Sequence, residues 1–294
     1  MSLAITTLIA GIAVGSVYAL IATCYSIVFL GTRVFNLAQG DIVVMGLVVS
    51  YFLLDVYHLP QIVTLVCAVA ATTLFSVLEE RLIIRRFLKL GSAGFGWFIG
   101  TLGLALVLET IWAILMKSQN PVPIPSPLGS KPLHLGSVSI EPDFVLCIAV
   151  TLVLVVAVAL FYSRTYIGTS MRATAEDRDL AGLRGIKPGQ VSMIAFAMAG
   201  VISGLAGYVL APIAQSDVSI GLTYGLFGFI GLAIGGFGSL PGALIGGWLV
   251  GIGQQVFDVY INPNYDLLAG LILLLVVLSV RPTGLLSSRS IRTV

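Results

Sequence analysis

Residues 143–162 read Asp-Phe-Val-Leu-Cys-Ile-Ala-Val-Thr-Leu-Val-Leu-Val-Val-Ala-Val-Ala-Leu-Phe-Tyr. After Asp143 no charge interrupts this run, and as a helix its twenty residues reach about 30 Å, the hydrocarbon thickness of a bilayer. A membrane β-strand would instead alternate apolar with polar over about ten residues. The run therefore predicts a membrane-crossing helix.

Similar runs recur along the chain. By hydropathy, crossings fall at approximately 5–30, 41–57, 61–79, 95–116, 143–162, 191–213, 220–237, 242–260 and 266–280. The seventh is short and Gly-rich, which leaves open a broken or re-entrant helix. Composition agrees with a bilayer as solvent. Of 294 residues, 58% are hydrophobic and only 10% charged, with mean hydropathy +1.07, whereas soluble domains average about 25% charged. The 33 glycines suit close helix packing in lipid. The expected fold is all-α, one polytopic membrane bundle over 1–294. The N-terminus before the first run lacks a positive segment, so that run reads as a retained helix.

Lys and Arg set the orientation. With the N-terminus outside, the inner segments hold thirteen of the fifteen basic residues: Arg33, Arg81, Arg85, Arg86, Lys89, Arg164, Arg172, Arg178, Arg184, Lys187, Arg281, Arg289 and Arg292. The outer segments hold Lys117 and Lys131. Positive charge stays inside, so the reading is N-out and C-in.

Two connections stand out. The outer loop 117–142 carries Pro121, Pro123, Pro125, Pro127 and Pro132, a pattern that favours extended polyproline structure. It reads as a stiff connector or a lid. The inner loop 164–190 is polar, yet Met171, Ala175, Leu180, Leu183 and Ile186 recur at loosely helical intervals around Glu176, Asp177, Arg178 and Asp179. Gly185 and Pro188 end it. An amphipathic helix over 171–186 suits docking on a partner, or lying on the membrane surface.

Enzyme chemistry is missing from the sequence. It has no Gly-Lys pair and hence no G-x-x-x-x-G-K-[ST] phosphate loop, no H-E-x-x-H and no G-x-S-x-G. His58 and His134 stand apart, and Cys24, Cys67 and Cys147 lie singly in apolar runs. No catalytic or metal-binding residues are assigned.

Polar residues within apolar runs are the candidate translocation path, because their burial is costly. Glu109 lies mid-run in the fourth segment. Asn36, Gln39, Gly40 and Asp41 form a polar mouth before the second, where a carboxylate complements a helix N-terminus. Non-helical backbone at membrane depth occurs only where it is buried or lines a cavity. An ordinary inner turn is the other reading. Gly235, Gly236 and Gly238, with Pro241, imply a sharp inner bend. Small-xxx-small pairs such as Gly11/Gly15, Gly200/Gly204 and Gly247/Gly251 imply tight helix contacts.

The chain resembles the shorter of two related permeases of branched-chain amino acid type ABC importers. The resemblance rests on seven segments in order: Gly15–Ala22, Arg33–Asp41, Gly100–Gly103, Gly168–Ala175, Ala181–Ile186, Gly235–Gly247 and Arg281–Leu286. It implies a second homologous permease (or a second copy), two cytoplasmic ATP-binding subunits, a periplasmic solute-binding protein and a bacterial or archaeal inner membrane. No cofactor would bind this chain, since ATP and Mg would sit on the partner ATPases. The 164–190 loop is similar to the coupling motif E-A-A-x-x-x-G, with Asp179-Leu180-Ala181 and Gly185 in the matching places. Arg172, Ala175, Glu176, Asp179, Ala181 and Gly185 are thereby candidates for contact with the ATPase. Where the family often has Asn-x-Ala-His-Gly, this chain has Gln39 in place of His. Gln cannot carry that charge, so the solute stays open among branched-chain and other hydrophobic amino acids, urea, amides and aromatic acids. A stand-alone secondary transporter with Glu109 as a proton site is the rival expectation.

Overall fold

In the computed structural model, the described residues are 2–89, 96–116, 124–129, 132–135, 138–214 and 220–286. Their order is α1 (Ser2–Thr32), α2 (Gln39–Tyr51) running into a π turn (Phe52–Val56), and α3 (Gln61–Glu79) running through a π turn (Glu80–Ile84) into α4 (Arg85–Lys89). Next come α5 (Gly96–Met116), β1 (Leu133–Leu135), β2 (Val138–Ile140), α6 (Pro142–Arg164), α7 (Tyr166–Glu176) and α8 (Arg178–Leu183). The chain continues with α9 (Pro188–Ala214), α10 (Ile220–Gly235), α11 (Leu240–Tyr260) and α12 (Asp266–Val280).

Seven helical stretches are long and apolar enough to cross a bilayer, and α10 and α12 are shorter apolar helices. Together these nine coincide with the nine runs of the sequence. The seventh, α10, is one unbroken helix among the described residues. Its direction follows from its ends. Phe237, just beyond α10, packs on Phe29 and Phe35 near the end of α1, and Gly284, past α12, lies against Gly236. Arg33 at the end of α1 meets Ala175 beyond α6, and Arg85 meets Gly189. The ends of α1, α3, α6, α10 and α12 thus gather on one side, which an odd number of crossings requires.

The packing is built on glycine. A Cβ on Gly15 would stand 2.8 Å from the Gly247 carbonyl, so α1 and α11 meet backbone to backbone. Gly200 and Gly204 do the same against Thr73 and Val69 of α3. Without a hydrophobic drive between helices in lipid, such close approach is what dispersion can use. The interior belongs to α1, α2, α9 and α10, while α3, α6 and α12 turn large apolar side chains outward, among them Ile62 (77% exposed) and Val153 (68%). In water such a surface would aggregate; in a bilayer it is the solvated face.

One expectation is corrected. The inner loop is not one helix over 171–186. It is α7 and α8, separated at Asp177, whose carboxylate accepts from the backbone N–H groups of Asp179 and Leu180, both at 2.9 Å. An N-cap starts a new helix there. In the loop 117–142, residues 133–135 and 138–140 pair as a small antiparallel hairpin, the one departure from an all-α fold among the described residues. Residues 117–123, 130, 131, 136 and 137 of that loop lie outside the described ones.

Candidate functional site

α1 ends at Thr32, and the chain does not form a water-facing turn. Arg33 takes a left-handed backbone with φ 60°. Val34, Asn36 and Ala38 are then buried in non-helical conformation before α2 begins. Backbone and side chains buried without helical bonding must find partners. Asn36 supplies several. Its Oδ1 accepts from the Ala38 N–H at 3.1 Å, and its Nδ2 donates to Glu79 Oε2 of α3 at 2.9 Å. Gln39 Nε2 donates to Ser203 Oγ of α9 at 2.6 Å, and Cys24 Sγ of α1 lies 3.8 Å from that hydroxyl. One buried polar line therefore joins α1, the break, α2, α3 and α9.

Two carboxylates in this region keep unpaired oxygens. Both oxygens of fully buried Asp41 lack a hydrogen-bond partner, as does Glu79 Oε1. Asp41 lies in the first turn of α2, where the helix dipole favours a negative charge. Its carboxylate touches Gly221 at the start of α10, and it interacts electrostatically with half-buried Glu109 of α5.

A cavity of about 270 Å³ opens beside the break. Phe35 and Leu37 of the break form one wall, with Tyr25 of α1, Trp97, Phe98 and Leu102 of α5, and Leu222, Gly225, Leu226 and Phe229 of α10. Phe35 stacks on Phe29 at 4.7 Å and meets Phe229 edge-on at 5.4 Å. Of the lining side chains, Tyr25 and Trp97 carry polar groups, and the Tyr25 hydroxyl donates to the Gly225 carbonyl at 3.3 Å.

The candidate path residues thus divide. Asn36, Gln39, Gly40 and Asp41 come together at the break, and Glu109 reaches them only through its electrostatic interaction with Asp41. Gly235 ends α10, and Gly236 and Gly238 form the turn to α11 with φ 104° and 78°. They lie away from the cavity, where the chain end locks them: Leu285 and Leu286 donate to the Ile234 and Gly235 carbonyls. Glu79, Ser203, Tyr25, Phe35 and Trp97 were not singled out by sequence. Glu79 carried the nearest thing to a signal, an acid closing the third apolar run.

The α7–α8 pair presents a different surface. Ala175 and Ala181 are buried, Arg172 donates to the Tyr162 carbonyl at 2.8 Å, and Glu176 and Asp179 are exposed. Gly185, at φ 84°, ends α8. Leu180 (58%) and Leu183 (84%) project outward. Burial holds the Arg178 guanidinium below the usual arginine range, while Glu80 and Asp179 pull it back up. No group of three His, Cys, Asp or Glu side chains suited to a metal ion occurs among the described residues.

Among the described residues, nine apolar helices with a buried polar break beside an apolar cavity are the build of a polytopic membrane transport subunit. The family described as branched-chain amino acid transport system, permease component, matches residues 7–277. The chain belongs to that family, and so is a permease subunit of the ATP-binding-cassette importers, not an enzyme. LivH of Escherichia coli K12, a high-affinity branched-chain amino acid transport system permease protein, is 28% identical over 97% of this chain and 96% of its own. BraD of Pseudomonas aeruginosa, of the same description, is 26% identical over 98% and 97%. LivH of Salmonella typhimurium is 27% identical over 97% and 96%. No solved structure matches the chain.

Proposed function

We propose that this permease carries a branched-chain or other hydrophobic amino acid into the cell. The observation that carries this reading is the apolar, aromatic-lined cavity set against the buried polar break. An amino acid of this class has an apolar side chain and a charged head. The cavity suits the former, and Asp41, whose carboxylate lacks a protein partner, suits the ammonium of the latter. Broken helices supply such sites in other transporters. The three relatives named above, each a branched-chain amino acid permease, support the same solute class.

In this reading a second homologous permease completes the path and two ATP-binding subunits, which hold ATP and Mg, dock on α7–α8. A solute-binding protein delivers the solute to the outer face. The membrane is the cytoplasmic membrane of a bacterium or archaeon, N-terminus out, with thirteen basic residues inside. Closure of the ATPases moves α7–α8 and rocks the attached helices.

The test is to purify the tagged chain from its native membrane, identify co-purifying subunits by mass spectrometry, and reconstitute them in liposomes. ATP-dependent uptake of labelled leucine, competed by isoleucine and valine, is expected. Leucine flux through the chain alone, without ATPase, overturns the reading.

A further inference from the structure

Two ties join the break to the α7–α8 segment, one at the end of α7 and one at the start of α9, just past α8. The first tie is Arg33. Its Nε donates to the carbonyl of Ala175, in the last turn of α7, and its guanidinium lies 5.1 Å over the Phe29 ring. Carbonyls of a last helical turn lack intrahelical partners, and the helix dipole there favours a cation. Arg33 also holds a left-handed backbone that a residue with a side chain keeps only when its surroundings enforce it.

The second tie starts beyond α8. Arg85 donates from Nη2 to the Gly189 carbonyl at 3.1 Å and pairs with Glu80 at 3.3 Å. Glu80 is buried and follows Glu79 at the point where α3 changes from α to π winding. Glu79 accepts from Asn36. Side-chain bonds thus hold the α7–α8 segment at residue 175 and the first turn of α9, which follows it, at residue 189. They reach the break at residues 33 and 36.

We propose that Arg33 is a positioning residue: it transmits displacement of α7–α8 to the 33–38 break, with the Arg85–Glu80–Glu79–Asn36 line as a parallel route. The proposal rests on the reading that α7–α8 is the contact for the ATPases. Arg33 does not line the cavity and takes no part in holding the solute. It acts because its side chain spans from the Phe29 ring of α1 to Ala175, in the segment that moves. The break has two ways to lie, anchored or relaxed, and that choice sets the shape of the cavity wall at Phe35 and Leu37. A physical link of this kind couples two sites only if both ends bias the same element, and here the element is the break.

The experiment uses the full importer in liposomes with solute-binding protein outside, and reads two rates, solute uptake and ATP hydrolysis. In Arg33→Gln, ATP hydrolysis persists while uptake per ATP falls about tenfold, within the usual span of coupling between sites. Arg33→Lys keeps the charge but loses the planar Nε donor, so its ratio falls too, by a smaller factor. Glu80→Gln weakens the parallel route, and joined to Arg33→Gln lowers the ratio further. An unchanged ratio in Arg33→Gln overturns the proposal. So does a fall of both rates in proportion, since a merely structural role leaves the ratio alone. If Arg33→Gln does not assemble, the ratio in Arg33→Lys decides by the same criterion. A wild-type complex that hydrolyses ATP without uptake overturns the underlying reading, and this proposal with it.

Discussion

The Asn36 side chain donates to the Glu79 carboxylate across 2.9 Å and joins the buried break to the third helix. The same side chain accepts from the Ala38 N–H. Asn36→Leu removes both bonds, leaves Glu79 with no donor, and keeps the volume roughly constant. An unsatisfied buried polar group costs about 1–3 kcal/mol, more when charged. The purified variant is expected to melt several degrees lower and to support no solute uptake. Scanning fluorimetry in detergent and uptake in liposomes check the two effects.

That bond marks where the sequence was legible. Asn36 to Asp41 is a polar run that lipid cannot solvate, so it stood out, though burial against protein and an ordinary inner turn were both open until the Asn36 and Gln39 bonds decided for burial. The nine apolar runs were legible for the same reason. The cavity was not. Tyr25, Phe35, Trp97 and Leu222 sit in segments where lipid-facing, core and cavity-lining positions are all apolar, so no stripe separates them. Glu79 closes the third apolar run beside Glu80 and the basic residues after it, and an acid at the end of a run carries no mark of burial. The division between α7 and α8 had a signal in Asp177, three residues before Leu180, but the spacing of Met171, Ala175 and Leu183 outweighed it. Asp177 decides because a capped N-terminus satisfies two N–H groups at once.

Cavity volume gives a prediction about solute size. Leu222 lines the cavity of about 270 Å³. Leu222→Trp fills part of that space from a wall of α10. Leucine uptake is expected to fall more than alanine uptake, because the larger side chain needs the volume removed. Equal losses for both solutes, measured in competition with isotope-labelled amino acids, would place the side chain elsewhere.

Gly40 and Gly225 offer a paired comparison. A methyl on Gly40 would run into the Gly221 carbonyl and come 2.9 Å from the Gly225 nitrogen. At Gly225 the nearest atoms are the Tyr25 hydroxyl at 3.4 Å and Gly40 Cα at 3.6 Å. Overpacking a close backbone contact costs about 1–3 kcal/mol. Gly40→Ala should therefore lower the melting midpoint clearly and Gly225→Ala little. Similar midpoints in scanning calorimetry would mean that α2 and α10 are not in backbone contact.

Orientation is checked by labelling. Cys24 and Cys147 are buried and Cys67 is exposed, so the test background is Cys67→Ser. A single cysteine at Ser2 is expected to react with an impermeant maleimide added to whole cells or spheroplasts. One at Leu183 is expected to react only after permeabilisation. Labelling of both from outside would reverse the assignment of the α7–α8 side.

The sharpest test of the docking surface separates two neighbouring residues of α8. Ala181 is only 3% exposed, whereas Leu183 is 84% exposed and makes no packing demand on its own chain. A charge at Ala181, the substitution the coupling motif would suggest, must be buried or must unseat α8, so its effect mixes folding with docking. Leu183→Asp keeps the fold, since the side chain is exposed and an aspartate in the last turn of α8 opposes the helix dipole by only about 0.3–1 kcal/mol. If α8 seats in a groove of an ATPase, the aspartate removes an apolar anchor and buries an unpaired charge in that contact. The expected result is unchanged yield and melting midpoint, weaker ATPase retention on an affinity column, and uptake reduced about tenfold or more, as for a buried interface anchor worth 2 kcal/mol or above. Ala181→Asp should instead lower yield and midpoint together with uptake. Should Leu183→Asp retain the ATPase and transport normally while Ala181→Asp loses both, the apolar tip of α8 is not the contact. The docking surface would then lie on the exposed side of α7, around Arg172 and Glu176.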